Sequence, residues 1–264
     1  MIAELERKLT EDQPSYQDQE VAWLLAHIGD PDAMVRDDIV YATFATGLKK
    51  GSFTPDQFRF LVAQTLEKDL LFYRLDQGLP ATLTRTFTAL LCGLLIQADG
   101  KSPFYQGLMT ESQRQSFFDA ASAYLEKEND FTGYVEPYEW VHGFAHGGDF
   151  LRNCLLHPDF PEASQLNALK AISGVFLRLP AYFVTGEERR MAAAVYQPLL
   201  QGYLSQEIVV HWLDQVHFPI DTLTDRMRLG CFENFLVALY FHVVEQVELT
   251  PELKEPLMRY LRDY

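Results

Sequence analysis

His142, His146 and Asp149 are the residues of this chain whose types and spacing best suit chemistry. On one helix, steps of four and then three residues bring side chains to the same face. Two imidazoles and a carboxylate placed there can converge on a divalent cation (zinc, manganese or iron) with positions left open for water or substrate. The same groups can instead form a hydrogen-bonded network in which acidic neighbours hold the imidazoles in place. The segment HGFAH lacks the glutamate of the HExxH metalloprotease helix, so that mechanism is not indicated. If a metal-bound water is activated, Glu128 and Asp130, a short distance upstream, are the candidate general bases.

The element that must position these groups is residues 126–156. Gly133 closes the preceding segment, Pro137 suits a first helical position, and Pro158 follows the end, so a helix is expected from Pro137 to about Leu156. Its spacing puts Trp140, Phe144, Leu151 and Leu155 on one side, with Trp140 as a packing anchor, and His142, His146, Asp149 and Asn153 on the other. Gly143, Gly147 and Gly148 each cost such a helix roughly 1 kcal/mol relative to alanine. Close approach of a neighbouring helix is the favoured compensation, ahead of ligand access to the backbone.

The rest of the chain reads as helices that bracket this one. Residues 15–28, 29–48 and 54–72 each carry apolar side chains at helical spacing; Asp30 or Asp32 can cap the second, and Thr54 with Pro55 opens the third. A strongly apolar helix follows Pro80 and carries Arg85 near its start, where it either snorkels or meets a carboxylate. Residues 99–103 read as a loop, and the next helix delivers Glu126, Glu128 and Asp130, either solvated or paired with Arg36 or Arg85. Beyond Pro161 come further amphipathic helices, one of which Pro198 should kink or divide. Nothing alternates with period two, so no sheet is expected. About ten helices in consecutive hairpins make an all-α fold, an irregular HEAT-like α-solenoid or α/α helical-hairpin superhelix, with 1–264 read as one domain.

Bulk properties narrow the partners. A net charge of −15 disfavours nucleic acid and anionic membrane surfaces. Three scattered cysteines without a CxxC pair suit free thiols in a reducing compartment, and no unbroken run of 18 apolar residues suggests a membrane span, so a cytoplasmic location is expected. No nucleotide-binding loop and no serine-hydrolase elbow is present as a motif.

VRDDIVYATF, RTFTALL and EKENDFTGYVEPYEWVHGFAHGGDFL resemble the bacterial family catalogued as domain of unknown function 2785, most strongly over residues 20–180. The family pattern has Arg-Asp in an early helix, Arg-Ser/Thr-Phe in a middle one, Glu-x-Asp-x-Arg-Gly, then Gly-Trp-x-His-x-x-x-His-x-x-Asp. By resemblance, the site therefore gathers Arg36, Asp37, Arg85, Glu128, Asp130, Trp140, His142, His146 and Asp149. Thr132 stands where the pattern has arginine and Glu139 where it has glycine, removing one anion contact and adding a carboxylate. The resemblance implies a fold and a site location, without a reaction.

Two functions follow from the residues. The first is a helical-repeat protein that binds a peptide, protein or small molecule in a polar groove centred on His142, His146 and Asp149. The alternative is a metal-assisted hydrolase with those three as ligands.

Overall fold

Side chains at the helix starts supply hydrogen bonds that the first turn cannot make for itself. Thr54 accepts from the Gln57 amide at 3.1 Å while Gln57 accepts from the Thr54 amide at 3.0 Å, and Thr110 with Gln113 and Thr222 with Asp225 repeat the arrangement. Such reciprocal caps stabilise a helix by about 1 kcal/mol each. Of the two candidate caps, Asp32 accepts from the Met34 amide at the helix start, while Asp30 accepts from the Asp32 amide in the turn before it.

The computed structural model describes residues 1–246 and 248–262. Among them are α1 (Ile2–Leu9), α2 (Asp18–Ala26), α3 (Ala42–Lys50), α4 (Pro55–Glu67), α5 (Ala81–Lys101) and α6 (Glu111–Lys127). They continue with α7 (Gly143–Leu155), α8 (Glu162–Leu177), α9 (Glu187–Leu200), α10 (Gln206–Gln215), α11 (Leu223–Val243) and α12 (Pro251–Arg262). A π-helical segment, Met34–Tyr41, leads directly into α3, and a hairpin pairs β1 (Tyr134–Val135) with β2 (Glu139–Trp140).

Packing follows a two-layer rule. Helices α3, α5, α7, α9 and α11 lie one against the next; α6, α8, α10 and α12 do the same in a second layer, and α2 packs on α4. Contact between every second helix is the mark of stacked helical hairpins, each burying its apolar side on its neighbour. The all-α expectation holds.

Helix α7 sits in the middle of its layer, between α5 and α9 with α6 behind it. Its glycines are the reason it fits. A Cβ on Gly147 would fall 2.7 Å from the Tyr124 ring and 2.8 Å from Leu125 Cδ2, and one on Gly148 would fall 3.2 Å from Met191 Cα. Close helix approach therefore compensates their cost, on two sides at once. Phe144, Leu151 and Leu155 are buried there, each contributing roughly 1.5–3 kcal/mol.

Several expectations need correction. The central helix starts at Gly143, not Pro137; residues 134–140 form the hairpin, with Pro137 in its turn. Trp140 is thus off the helix and 44% exposed, no packing anchor. The sheet escaped notice because two-residue strands carry no period. Pro198 falls in the last turn of α9 and does not divide it, and Asp99–Lys101 extend α5 where a loop was expected. Helix α1 was hidden in a charged sequence: Leu5 is buried, and Lys8 is held by Glu20 at 2.6 Å. By length and composition α5 could cross a membrane, at mean hydropathy 1.3, but 83% of that window is buried among other helices.

Candidate functional site

Three elements converge around the start of α7: the end of α6, the hairpin, and the first turn of α9. At the end of α6, Glu128 is wholly buried. Its carboxylate accepts Arg85 Nε at 2.7 Å and Nη2 at 2.9 Å, and also the amides of Asn129 at 2.9 Å and Asp130 at 3.0 Å. Arg85, equally buried, spends its remaining donors on the carbonyls of Tyr73, Arg74 and Gln77 and on Thr82. Burial works against this guanidinium charge, and the hydrogen bonds and charge of Glu128 outweigh it, so its pKa lies above the ordinary arginine value. Arg85 therefore pairs and does not snorkel. Asp130 accepts from Thr82 Oγ1 at 2.5 Å and from the Thr132 amide at 3.1 Å.

Arg36 fastens the hairpin. Fully buried, it donates to the carbonyls of Tyr138 at 2.8 Å, Asp30 at 3.1 Å and Trp140 at 3.4 Å, and to Asp37 at 2.7 Å. Its guanidinium lies 4.7 Å from the Phe87 ring centre, a contact that favours the buried cation. On the other side, the amides of Val141 and His142 donate to Gly133 O at 2.8 and 3.2 Å. Glu139 and His142 take left-handed backbone, with φ of 58° and 50°, so the hairpin enters α7 through a sharp bend on either side of Trp140.

The bend lays the Trp140 ring flat on His142, with centres 4.6 Å apart at 10°. His142 Nδ1 donates to Glu187 Oε1 at 3.1 Å; Glu187 also accepts from Thr185 Oγ1 and its amide. Burial pushes the Glu187 carboxyl up, and the bonds from His142 and Thr185 bring it below the ordinary value. His146 is 5% exposed and meets Thr86 Oγ1 at 2.7 Å. Thr86 gives its one hydroxyl hydrogen to Val141 O at 2.8 Å, so it accepts from His146 Nδ1–H, which leaves the imidazole lone pair on Nε2. Burial, with the charges of Arg190, His142 and Arg36, holds the His146 pKa well below its usual value, and the ring is neutral at pH 7.

The rings of His142 and His146 stand 5.8 Å apart. Asp149 does not join them: Arg152 donates to its Oδ1 at 2.9 Å and Arg190 to its Oδ2. Asn153 turns to α5, donating to Gly93 O at 3.0 Å. Among the described residues, no three His, Cys, Asp or Glu side chains stand together so as to hold a metal ion. The expected ligand set of His142, His146 and Asp149 is thus divided: each member has a protein partner, because His142 belongs to the bend and not to the helical stripe. Glu128, proposed as a base, has no surface at all.

Thr86, Glu187 and Arg190 are site residues that the sequence reading passed over. Thr86 lay inside the quoted RTF motif, whose Arg85 binds Glu128 and whose Phe87 packs edge-on against His146 at 5.3 Å. Glu187 and Arg190 carried no signal of their own, since acids in a first helical turn are ordinary. The 560 Å³ cleft between α10, α11 and α12, lined by Phe218, Arg226 and Tyr260 among others, includes none of the expected residues.

No curated protein and no solved structure matches the chain. The profile of a family described as protein of unknown function (DUF2785) matches residues 71–241. That span takes in Arg85, Glu128, Asp130, Trp140, His142, His146 and Asp149; it starts after Arg36 and Asp37 and runs past the expected limit of residue 180. With well over half of its length matched, the chain belongs to the DUF2785 family.

Proposed function

We propose that the protein is a docking protein, which binds a peptide or protein segment on the face formed by the hairpin and the outer side of α7. His142, His146 and Asp149 act as the scaffold of that face. The observation that carries this reading is the contrast between polar residues that each have a protein partner and an exposed aromatic ring lying on them. His142, His146, Asp149, Glu128 and Asp130 each have a protein partner, whereas Trp140 is 44% exposed above His142. Aromatic side chains on a rigid support are characteristic anchors in protein recognition. A HEAT-like superhelix, with its extended lateral faces, suits such a role.

The test separates scaffold from ligand set. His142→Ala/His146→Ala protein is compared with the parent in thermal and urea unfolding with chelator present, and both are assayed for bound metal after incubation with zinc, manganese and iron(II). A scaffold loses stability in chelator, by about 2–4 kcal/mol for two buried hydrogen bonds and a buried Glu187 left with Thr185 alone. Near-stoichiometric metal that disappears in the variant, together with unchanged apoprotein stability, would overturn the reading in favour of metal-assisted hydrolysis.

A further inference from the structure

The hairpin is not the only exposed apolar element at this face. Tyr134 and Trp140 are 43% and 44% exposed and meet edge to face at 5.0 Å. The segment before α9 reaches the base of the hairpin, where Thr185 and Glu187 crowd Gly133. In that segment Phe183 packs inward near Phe131 and Phe144, while its neighbours Tyr182 and Val184 are 59% and 86% exposed. Two adjoining loops thus carry four exposed apolar side chains. Exposed apolar side chains gathered on adjoining loops suit an interaction surface.

The charge beside these side chains is predominantly acidic. Glu136 and Glu139 are exposed on the hairpin, and Tyr134 donates to Glu136 at 2.6 Å. Asp37 is only half-buried, Asp38 beside it is exposed, and Glu139 lies close enough to raise the Asp37 pKa, a smaller effect than its burial. The cations nearby are mostly committed: Arg36 is buried against Asp37 and backbone carbonyls, and Arg190 is bound to Asp149, leaving Arg189 exposed on α9.

Resting on the docking reading, we propose that the partner is a basic protein segment, one that sets lysine or arginine against Tyr134, Trp140 and the Glu136–Glu139 edge. An apolar residue of the segment packs on Tyr182 and Val184. A cation over a tyrosine or tryptophan ring with carboxylates at its rim gains from the ring quadrupole and from charge complementarity together. The net charge of −15 steers such a segment from a distance. The Arg36 clamp holds the platform in place before the partner arrives, so little ordering is needed on binding.

The experiment measures polarisation of fluorescein-labelled decapeptide pools of equal apolar content whose polar positions are Lys/Arg, Asp/Glu or Ser/Gln. Parent, Trp140→Ala and Glu136→Lys/Glu139→Lys proteins are compared, each checked for parental thermal unfolding; all three substituted side chains are exposed. The basic pool is expected to bind parent at least tenfold more tightly than the acidic pool and to weaken severalfold in 0.5 M salt. Trp140→Ala should weaken it at least fivefold, and the charge reversal should invert the preference between pools. Tightest binding of the acidic or uncharged pool, still weakened by Trp140→Ala, overturns the basic partner and leaves the docking face standing. Binding of no pool, or binding indifferent to Trp140→Ala, overturns both.

Discussion

Replacing Glu128 by glutamine tests whether the buried arginine pair is structural. The wild-type carboxylate takes two guanidinium donors, at 2.7 and 2.9 Å, and two backbone amides, at 2.9 and 3.0 Å. A glutamine offers one oxygen, and in either orientation its amide nitrogen faces an Arg85 donor, in one of them the amides of Asn129 and Asp130 as well, donor against donor. The Arg85 charge is left buried without its counter-charge, a loss of about 3–5 kcal/mol. For a chain of this size that lowers Tm by roughly 6–20 °C. The exposed Arg59–Asp56 pair, by comparison, should matter by less than about 1 kcal/mol. Exchanging both partners, as in Arg85→Met/Glu128→Leu, does not rescue stability here. The carbonyls of Tyr73, Arg74 and Gln77 lose their donor, at about 1 kcal/mol or more each. The assay is urea unfolding at 25 °C followed by far-UV circular dichroism, with the slope checked for constancy. A Glu128→Gln protein within about 1 kcal/mol of the parent would refute the reasoning.

Other expectations follow from the same site. His146 stays neutral in the folded protein below the pH at which it protonates in the unfolded chain, so its contribution is complete above about pH 6.5 and is lost as pH falls. Relative to His146→Gln, the parent should lose unfolding free energy between pH 8 and pH 5, by at most about 2 kcal/mol, and parallel pH profiles would contradict this. Gly147→Ala should destabilise by about 1–2 kcal/mol, because the clash with Tyr124 and Leu125 exceeds the gain in helix propensity. Gly230→Ala, with nothing within 4 Å of the added carbon, should stabilise by up to about 1 kcal/mol in the same urea assay.

The helices were legible because their signals are local. Thr54 with Pro55 announces α4, and regular apolar spacing announces α5. The hairpin was not, since a proline followed by an aromatic and an acid reads equally well as a helix start, and the distant Arg36 helps the short strand pairing hold residues 138–140 in another shape. Within the site, the pairing of Arg85 with Glu128 was one of the alternatives the sequence offered, because a buried arginine and a run of acids each need a partner. His142 meets Glu187 across 45 residues, a separation at which an ordinary first-turn acid gives no sign of its partner. The glycines pointed the right way because their cost demanded a neighbour, whichever helix supplied it.

Helix α5 carries a consequence for how the chain is made. It is apolar enough to satisfy a membrane and is shielded in the finished fold by α3 and α4, which precede it, and by α6 and α7, which follow. During synthesis it emerges from the ribosome with only half of that shield in existence. Until the histidine helix arrives some forty residues later, its uncovered side is a surface for bilayers and chaperones to compete over. Gly93, where an added Cβ would fall 3.3 Å from Phe150 Cα, lets α7 settle closely on α5 and helps to end that competition.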